Sequence, residues 1–537
     1  MCCDPFCRGA LRMRVGLAPE CPQMREDGVP SKTCSARDPV PPRFNLARYC
    51  LAENARLRPD ATALTVVGDA GAQRWTHAEL DLKVRCLAAG LQSLGLPAGA
   101  RVMIRMGNEA NAALAYFASI AAGYVALLAS SQLTFEEAEF MARDCGASAL
   151  ALGASFETEP HSGDFHLLRG ADLARLAESA PIPDYVDTAA DDPAYLVYTS
   201  GTTSRPKGVL HAHRAAWGRR PMREHWTGLG PGDVMLHAGA INWTYTLGVG
   251  VVDPLSAGAS AVLYNGHPDP AAWPRLIETY RATIFAAVPG VFRQILKYGA
   301  PETANLSSLR HALSAGAALP SSLLDDWRGR TGKEIFEAFG MSEISTFVSS
   351  GPTAPVRSDS PGRPQPGRAV AALPQEGGET PLRPGETGLL AVRRDDPGMM
   401  LGYWNREEEE REAFRGEWFV SGDIVEFDAD GYMWRHGRVD EVMNAGGYRV
   451  SPAEVEKRLL EINGVVEAAA AERPGRDATA TIIKAYVVMR DGAARDETAI
   501  LDYCRAHLAA YKCPRAVMFL DALPRNANGK LNRAALP

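Results

Sequence analysis

An apolar strand pattern that runs directly into a loop of small and polar residues is the feature that most constrains the fold of this chain. Residues Ala194–Thr199 alternate apolar and aromatic side chains, and Ser200–Gly208 follow without a break. This arrangement is typical of a buried strand that ends in a phosphate-binding loop. Glycines allow strained backbone angles, hydroxyl groups donate hydrogen bonds, and Lys207 supplies positive charge to phosphate oxygens. The segment therefore predicts a binding loop for the triphosphate tail of a nucleotide.

The loop differs from the Walker A motif of P-loop NTPases. That motif has four residues between its first glycine and a Gly-Lys-Ser/Thr ending. Here Lys207 is followed by Gly208 and Val209, so the ending is absent. The P-loop NTPase class is disfavoured, and a polar turn without function is a poor account of so specialised a stretch.

Helical and strand patterns alternate along most of the chain. A helical pattern covers 77–95, and short β-rich runs occur at Arg101–Met106 and Ala194–Thr199. This alternation is typical of a layered α/β protein with parallel sheets covered by helices. The run Gly388–Arg393 and the glycine- and aspartate-rich stretch Gly416–Gly437 predict strands joined by tight turns, hence a β-rich subdomain.

The end of the chain has the pattern of a separate, smaller domain. A helix is expected over 452–461, a strand over 481–489 and a further helix over 496–509. This pattern predicts an α+β domain of about a hundred residues. With the Pro-, Cys- and Arg-rich start of the chain, which lacks periodicity and is expected to be a disordered tail, the predicted units are 1–43, 44–437 and 438–537.

Composition and charge exclude several classes of protein. The 537 residues are 46% hydrophobic and 23% charged, which is ordinary globular usage for a multidomain chain. The formal net charge of −7 gives no overall basic field to bind a nucleic acid or an anionic membrane. No apolar run has the length of a membrane helix or the position of a signal-peptide core, so we expect a cytoplasmic protein without a membrane span.

The phosphate loop resembles the signature of a known family. Thr199–Gly208 is similar to TSGTTGxPKG of the acyl-adenylate-forming (AMP-binding) superfamily, with Ser204 in place of the usual glycine. The superfamily includes acyl-CoA and aryl-CoA synthetases, peptide adenylation domains and luciferases. The resemblance extends from about Phe44 to Pro537 and indicates the acyl-CoA or aryl-CoA synthetase branch. It implies a catalytic role for Lys207 and ATP contacts from Thr199, Ser200, Gly201, Thr202 and Thr203.

Two further motifs occur in the order of the family. Phe336–Glu343 resembles the YGxTE element, and the resemblance implies that Glu343 is catalytic and binds Mg²⁺, a hard cation that prefers oxygen ligands. The nucleotide would also contact Phe339, Gly340, Met341 and Ser342. Upstream, Ser314–Pro320 is similar to the family loop whose backbone borders adenine, which assigns that contact to Gly316, Ala317 and Ala318.

Residues nearer the end of the chain are expected to contact the ribose and to take part in the transfer of the acyl group to a thiol. Trp418–Asp423 resembles W-x-x-TGD, whose aspartate accepts hydrogen bonds from ribose hydroxyls. Arg438–Val450 resembles the family hinge and the start of its mobile C-terminal domain. This resemblance implies a ribose contact at Arg438, the pivot at Asp440, a border of the thiol tunnel at Gly447 and a phosphate contact at Arg449.

The adenylation lysine of the family has a counterpart near the end of the chain. Leu523–Lys530 resembles the motif that carries it, so Lys530 is expected to be catalytic. Together with Lys207 and Mg²⁺, Lys530 would offset the charge that repels a carboxylate from ATP.

The resemblance places the acyl pocket around His237–Trp243, with Trp243 beside the reacting carboxylate. Between His237 and Val252 no Asp or Glu could pair with a substrate ammonium, so an amino acid is disfavoured. Acetyl-CoA synthetases carry tryptophan at the position of Gly340, and the glycine predicts a deeper pocket. We therefore expect an acid larger than acetate: aromatic, branched or medium-chain.

These observations predict an ATP-dependent acyl-CoA ligase. It would convert a carboxylic acid and ATP to an acyl-adenylate and transfer the acyl group to coenzyme A, with release of pyrophosphate and AMP. One alternative is a free-standing enzyme that loads a carrier-protein thiol, and another is a non-catalytic nucleotide-binding regulator. Pyrophosphate release with and without CoA separates the three functions. A homodimer is left open by the sequence.

Overall fold

β-Sheets covered by helices form most of the structure. The computed structural model describes residues 35–199, 206–267, 269–441, 443–445, 448–474, 481–525 and 531–537. Within these ranges the strands form sheets of nine, seven, five, three and two strands.

The strands, numbered in chain order, are β1 Thr62–Gly68, β2 Gly71–Thr76, β3 Arg101–Arg105, β4 Val125–Ala129, β5 Ala147–Leu152, β6 His166–Leu168, β7 Pro193–Thr199, β8 Lys207–Ala212, β9 Val234–His237, β10 Ser260–Tyr264, β11 Ile284–Ala287, β12 His311–Ala315, β13 Ile335–Met341, β14 Ser345–Ser349, β15 Arg363–Pro364, β16 Val370–Leu373, β17 Gly388–Arg393, β18 Gly402–Tyr403, β19 Phe414–Arg415, β20 Trp418–Phe427, β21 Met433–Arg438, β22 Met443–Ala445, β23 Tyr448–Val450, β24 Val465–Pro474, β25 Thr481–Met489 and β26 Ala516–Leu520.

The α-helices are α1 Leu46–Leu57, α2 His77–Gln92, α3 Ala110–Ala121, α4 Phe135–Asp144, α5 Gly170–Leu176, α6 Ala215–Gly218, α7 Arg220–Met222, α8 Asp253–Ala257, α9 Ala272–Tyr280, α10 Pro289–Gln294, α11 Ser321–Thr331, α12 Glu407–Ala413, α13 Pro452–Leu460 and α14 Glu497–His507. Wider π-helical turns occupy Arg223–Thr227, Thr246–Val252 and Ile295–Gly299.

Two large sheets share one apolar core. The nine-stranded sheet has the order β15-β14-β13-β12-β11-β9-β10-β1-β2, and the seven-stranded sheet has the order β18-β8-β7-β4-β3-β5-β6. Their central strands are parallel and rich in buried aliphatic residues, as expected for sheets covered on both faces. Helix α3 is buried along almost its whole length and packs in the same core as residues of both sheets. The phosphate-loop strand β7 and the motif strand β13 therefore belong to neighbouring layers.

Local signals define the start of the helices. At α2, the Thr76 side chain accepts a hydrogen bond from the Glu79 backbone N–H, and the Glu79 carboxylate accepts one from the Thr76 N–H. Such a capping box satisfies two backbone donors that have no partner within the helix. Thr134 and Glu137 repeat the arrangement at α4.

Two smaller β-structures follow the large sheets. Strands β16, β17, β20 and β19 form an antiparallel sheet in this order, and β21 pairs with β20. Near the end of the chain, β24 pairs antiparallel with β25, and β25 pairs parallel with β26. Helices α13 and α14 pack on this last sheet and contribute Val455, Leu459 and Ile500 to a core of its own.

Residues 35–43 contact the body of the protein. Ala36 is buried, and its backbone N–H donates to the Pro366 carbonyl at 3.1 Å. Asp38 forms a 2.8 Å ion pair with Arg220. These residues form one wall of a cleft of about 980 Å³ that contains none of the predicted site residues. The prediction of a disordered tail is therefore wrong for 35–43, while the rest of that segment lies outside the described residues.

The predicted fold class is confirmed: the protein is mixed α/β, with layered sheets, a β-rich region and a small α+β unit at the end. The expected boundary between 437 and 438 falls at the end of β21 and stays a prediction, as does the mobility of the C-terminal unit. In the described ranges no helix has the length and apolarity needed to cross a bilayer.

Candidate active site

Tyr403 joins two of the predicted catalytic residues. Strand β18 pairs antiparallel with β8, which places Tyr403 opposite Val209. The Tyr403 hydroxyl donates a 2.8 Å hydrogen bond to Oε1 of Glu343, and Nζ of Lys207 lies 5.5 Å from the centroid of the Tyr403 ring. Lys207 begins a strand of the seven-stranded sheet, whereas Glu343 follows a strand of the nine-stranded sheet. The tyrosine thus binds Glu343 and lies close to Lys207 at the junction of the sheets.

The electrostatic environment keeps Tyr403 protonated. Burial raises the pKa of its hydroxyl well above the usual value, and the charge and hydrogen bond of Glu343 raise it further. Arg438 opposes this shift, so its guanidinium lies within electrostatic reach of the tyrosine. Tyr403 therefore remains a hydrogen-bond donor to Glu343 at neutral pH.

Asp423 and Arg438, the two predicted ribose residues, face each other on adjacent strands. They are directly paired between β20 and β21, and Nη1 of Arg438 lies 3.3 Å from Oδ2 of Asp423. Arg435 donates to Oδ1 of the same carboxylate at 2.8 Å. The carboxylate is buried and ionised groups surround it, so it is a strong, preoriented acceptor.

The predicted adenine loop follows β12 and is open to solvent. Gly316, Ala317 and Ala318 are exposed, and Gly316 has a φ of +89°, which favours glycine. A Cβ atom on Gly316 would lie 4.0 Å from Cη2 of Trp243. The structure therefore brings the predicted acyl-pocket tryptophan beside the predicted adenine loop.

Glu337 contacts this loop, and the pKa of its carboxyl group is raised. Its Oε1 accepts a 3.1 Å hydrogen bond from the Leu319 N–H. Burial raises the pKa of Glu337 to about 8, although the Leu319 hydrogen bond acts in the opposite direction. The side chain is consequently mostly protonated at neutral pH and can both donate and accept beside the loop.

The structure leaves no space for a side chain at Gly340. A Cβ atom there would lie 2.3 Å from the Ser345 carbonyl oxygen and 2.6 Å from Cα of Thr346. Both atoms belong to the backbone of the paired strand β14. A larger residue at this position would therefore first separate two strands, and the pocket role expected of Gly340 stays a prediction.

The remaining motif residues lie at the same strand end. Phe339 makes an edge contact with Phe347 at 5.8 Å between ring centroids, and Met341 is half-buried at the end of β13. The Ser342 carbonyl accepts a 2.7 Å hydrogen bond from Nε2 of His211. Thr199 ends β7 directly opposite Lys207. These contacts place the end of β7 and the end of β13 at one site.

Comparison with known proteins gives the family. Residues 51–404 match the family described as AMP-binding enzyme, and residues 454–530 match the AMP-binding enzyme C-terminal domain. The chain belongs to the AMP-binding enzymes. The resemblance stated from the motifs is thereby confirmed.

Named relatives cover nearly all of the chain. The 3-hydroxybenzoate–CoA ligase of Aromatoleum sp. (strain CIB) is 30% identical over 87% of this chain and 92% of its own length. The benzoate–CoA ligase of Thauera aromatica is 31% identical over 93% of this chain and 96% of its own length. Among solved structures, the anthranilate CoA ligase AuaEII in complex with anthranoyl-AMP has a TM-score of 0.85 and 28% identity, over 93% of this chain and 98% of the other.

Several predicted residues of this AMP-binding enzyme lie outside the described ranges. They are Ser200, Gly201, Thr202, Thr203, Gly447 and Lys530. At Asp440, in the 3₁₀ turn Val439–Glu441, and at Arg449, in β23, the structure describes the backbone alone. The roles assigned to these residues stay predictions.

The motifs missed Tyr403, Arg435 and Glu337. Glu337 lies within a quoted motif, and a carboxyl beside the buried Ile335 and Ala338 of a strand could have drawn notice. Tyr403 is 60 residues from Glu343 and joins the site only through the pairing of β18 with β8. Arg435 faces Asp423 because β20 and β21 pair, and no motif marks this residue.

Proposed function

We propose that this AMP-binding enzyme is an ATP-dependent ligase that activates an aromatic carboxylic acid as its acyl-adenylate and transfers the acyl group to coenzyme A. The Lys207–Tyr403–Glu343 arrangement carries the proposal, because it sets a cation and a carboxylate beside the predicted phosphate loop. Relatives named as aryl-CoA ligases, aligned over most of their length, support the choice of acid and acceptor.

In the first step, a carboxylate oxygen of the acid attacks the α-phosphorus of ATP, and the bond to the leaving pyrophosphate breaks. No protein nucleophile is required, so positioning and charge neutralisation provide the rate. Lys207 would offset negative charge on the phosphates. Lys530 is assigned the same task at the reacting centre. The Asp423 carboxylate would accept hydrogen bonds from the ribose hydroxyls, with Arg438 beside it.

Glu343 fits a magnesium ion. Its Oε1 is held by Tyr403, and among the described residues Oε2 has no hydrogen-bond partner. In the described ranges no group of three His, Cys, Asp or Glu side chains could bind a metal. A single protein carboxylate together with phosphate oxygens and water is the usual environment of Mg²⁺ in nucleotide sites. Magnesium would supply further charge neutralisation on the triphosphate when bound.

In the second step, the thiol of CoA loses its proton, the sulfur attacks the acyl carbonyl carbon, and AMP leaves with the bond electrons. The carboxyl group must first meet the α-phosphate of ATP through its oxygen, and its carbon must then be open to the thiol. We therefore keep Asp440 as the pivot, Gly447 as a border of the thiol tunnel and Arg449 as a phosphate contact. A cytoplasmic location and a homodimer also stay predictions.

The charges near Trp243 disfavour an amino-acid substrate. Asp253, the first carboxylate after His237, is bound by Arg219 through two hydrogen bonds of 2.7 Å. Its charge is compensated and buried, so it is not available to a substrate ammonium. A neutral aromatic ring needs no such partner.

Pyrophosphate release tests the function. Purified protein is given ATP, Mg²⁺ and a panel of benzoic, cinnamic, medium-chain and amino acids, with and without CoA. We expect a single burst of pyrophosphate without CoA, steady turnover with CoA, and an acyl-CoA product for aromatic acids. A burst that CoA does not convert to turnover would favour a carrier-protein acceptor. Absence of any burst across the panel would favour a non-catalytic regulator.

A further inference from the structure

The turn between β13 and β14 carries Glu343 and ends in strained backbone. Strand β13 ends at Met341 and β14 begins at Ser345, so only three residues connect them. Ser345 has a φ of +78°, a region that a residue with a side chain rarely adopts. Such a conformation persists only where the surrounding structure fixes it. The contacts of Ser345 therefore help to set the position of Glu343.

A buried arginine holds the side chain of Ser345. Nη1 of Arg219 donates a hydrogen bond to the Ser345 hydroxyl. Arg219 is 7% exposed and lies in the connection between α6 and α7, far from the turn along the chain. The position of the turn thus depends on the position of this guanidinium.

The other edge of the same guanidinium binds Asp253. Nε donates to Oδ1 and Nη2 donates to Oδ2, both at 2.7 Å. Asp253 is 2% exposed, so the ion pair is shielded from water. Two parallel hydrogen bonds fix the plane of the guanidinium, and this plane directs Nη1 towards Ser345. A lysine could pair with Asp253 but could not hold both partners in this geometry.

The ion pair also contacts the segment that follows the expected acyl-pocket residue Trp243. Three residues after Trp243 begins the π-helical turn Thr246–Val252, and Asp253 comes directly after it. Within this turn, a Cβ atom on Gly248 would lie 2.4 Å from Nη2 and 2.5 Å from Cζ of Arg219. The guanidinium therefore lies directly against the backbone of Gly248. A shift of this segment must move Arg219 as well.

Stability alone gives a poor account of the Arg219–Asp253 pair. Burying two charges is costly, and replacement of such a pair by apolar residues of similar size is often neutral or stabilising. The pair instead joins three separate parts of the chain through directional contacts: the α6–α7 connection, the turn before Asp253 and the turn after Glu343. This arrangement favours a role in positioning.

We propose that Arg219 is a positioning residue that links the acyl pocket to the Glu343 turn. An acid that holds the segment from Trp243 to Asp253 in place also holds Arg219 and, through Ser345, the carboxylate assigned to Mg²⁺. Binding of the acid and binding of Mg²⁺–ATP should therefore strengthen each other. The inference rests on the proposed function and on the acyl pocket expected around Trp243.

The test measures binding without turnover. In α,β-methylene-ATP a carbon bridge replaces the oxygen between the first two phosphorus atoms, so pyrophosphate cannot leave. Its Kd in the presence of Mg²⁺ is measured by titration calorimetry, with and without a saturating concentration of an acid that the parent enzyme activates. The acid should lower this Kd at least about fivefold, the lower end of the range typical of linked sites. The reciprocal titration of the acid should give the same factor.

Two variants break the link at different points. Ser345→Ala removes the hydroxyl that accepts from Arg219 and leaves the Arg219–Asp253 pair in place, whereas Arg219→Lys keeps the positive charge without the planar fork. In both variants the factor should fall to near one. Ser119→Ala is the control, because Ser119 is also buried and its hydroxyl donates to the Ala115 carbonyl at 2.7 Å within α3. The control should keep the factor of the parent.

The melting temperature of each variant separates the link from a general loss of packing, which lowers the melting temperature but leaves the factor unchanged. A parent factor near one would overturn the inference, and so would a Ser345→Ala enzyme with the factor of the parent. Loss of the factor in Ser119→Ala as well would show a general effect of the core and would overturn it too. If the parent activates no aromatic acid in the pyrophosphate assay, the proposed function itself fails and the inference falls with it. Normal activation with a factor near one refutes the inference alone.

Discussion

Substituting Gly340 by alanine should damage the enzyme for every acid alike. In the structure a Cβ at this position would lie 2.3 Å from the Ser345 carbonyl oxygen and 2.7 Å from its carbonyl carbon. Normal contacts of this kind begin about 1 Å further away, near 3.4 Å. Because the obstacle is backbone, β13 and β14 must separate where Gly340 pairs with Thr346. The cost should reach or exceed the upper end of the about 1–3 kcal/mol measured for overpacked cores.

The same displacement should reach the reacting groups. Ser342 and Glu343 lie in the tight connection between β13 and β14, and Ser345 already has a φ of +78°, which is strained for a residue with a side chain. A misplacement of about 1 Å can reduce an enzymatic rate about a hundredfold. We therefore expect Gly340→Ala to lower kcat/KM by about that factor for acetate, benzoate and larger acids in equal proportion.

The assay compares Gly340→Ala with Gly329→Ala. Gly329 lies in helix α11, and a Cβ there would meet nothing within 4 Å, so the same chemical change should be neutral or stabilising by about 0.5–1 kcal/mol. Melting temperature and kcat/KM for a short and a long acid are measured for both variants. If Gly340→Ala keeps the melting temperature of the parent and loses activity only on large acids, the packing argument fails and Gly340 sets the depth of the pocket.

Three further changes test other parts of the site. Tyr403→Phe removes a hydrogen bond to the Glu343 carboxylate, a loss of about 1.5–3 kcal/mol. Single-turnover adenylation should therefore slow about ten- to a hundredfold and require a higher Mg²⁺ concentration. An unchanged Mg²⁺ dependence would refute the role of Tyr403 in positioning Glu343. The pKa of Glu337 is raised to about 8, so its contribution to stability is present below its unfolded pKa near 4.5 and is lost as pH rises through 8. The melting temperature of Glu337→Gln, measured from pH 5 to pH 9, should lack the decline that the parent protein shows. Parallel melting curves for the two proteins would contradict this prediction. Asp440→Pro fixes φ near −65° in the 3₁₀ turn Val439–Glu441, so the pivot should not adopt both orientations. Adenylation should continue, and thioester formation should fall at least tenfold relative to Asp440→Ala; unchanged transfer to CoA would argue against a pivot there.

Local signals predicted the elements of the fold well. The strands expected at Ala194–Thr199 and Gly388–Arg393 are found at Pro193–Thr199 and Gly388–Arg393. The helix expected over 77–95 ends at Gln92, because Gly95 adopts a φ of +69° and turns the chain. Such boundaries depend on one or two residues and are the least certain part of a pattern.

Contacts between residues far apart in the chain could not be predicted from the sequence. Residues 35–43 have no periodicity, and their partners Pro366 and Arg220 lie far along the chain. The room around Gly340 depends on how β14 returns against β13, which no local pattern specifies. The motif residues of the site were found because they lie in short continuous segments that resemble family motifs, whereas Tyr403 and Arg435 reach the site only through strand pairing.

The way in which the end of the chain is attached fits a two-step reaction. Its two apolar cores consist of residues between Met443 and Leu536 only, so this unit keeps its core if it turns. The described ion pairs that link it to the rest of the protein are Arg293–Glu467, Lys297–Asp491 and Lys457–Asp359, at 3.4, 3.4 and 2.9 Å. The last two pairs are solvent-exposed, and such pairs contribute only about 0–1 kcal/mol each and weaken with salt. Breaking these two pairs costs little compared with exposing a core, which is compatible with the rotation that the predicted role of Lys530 requires.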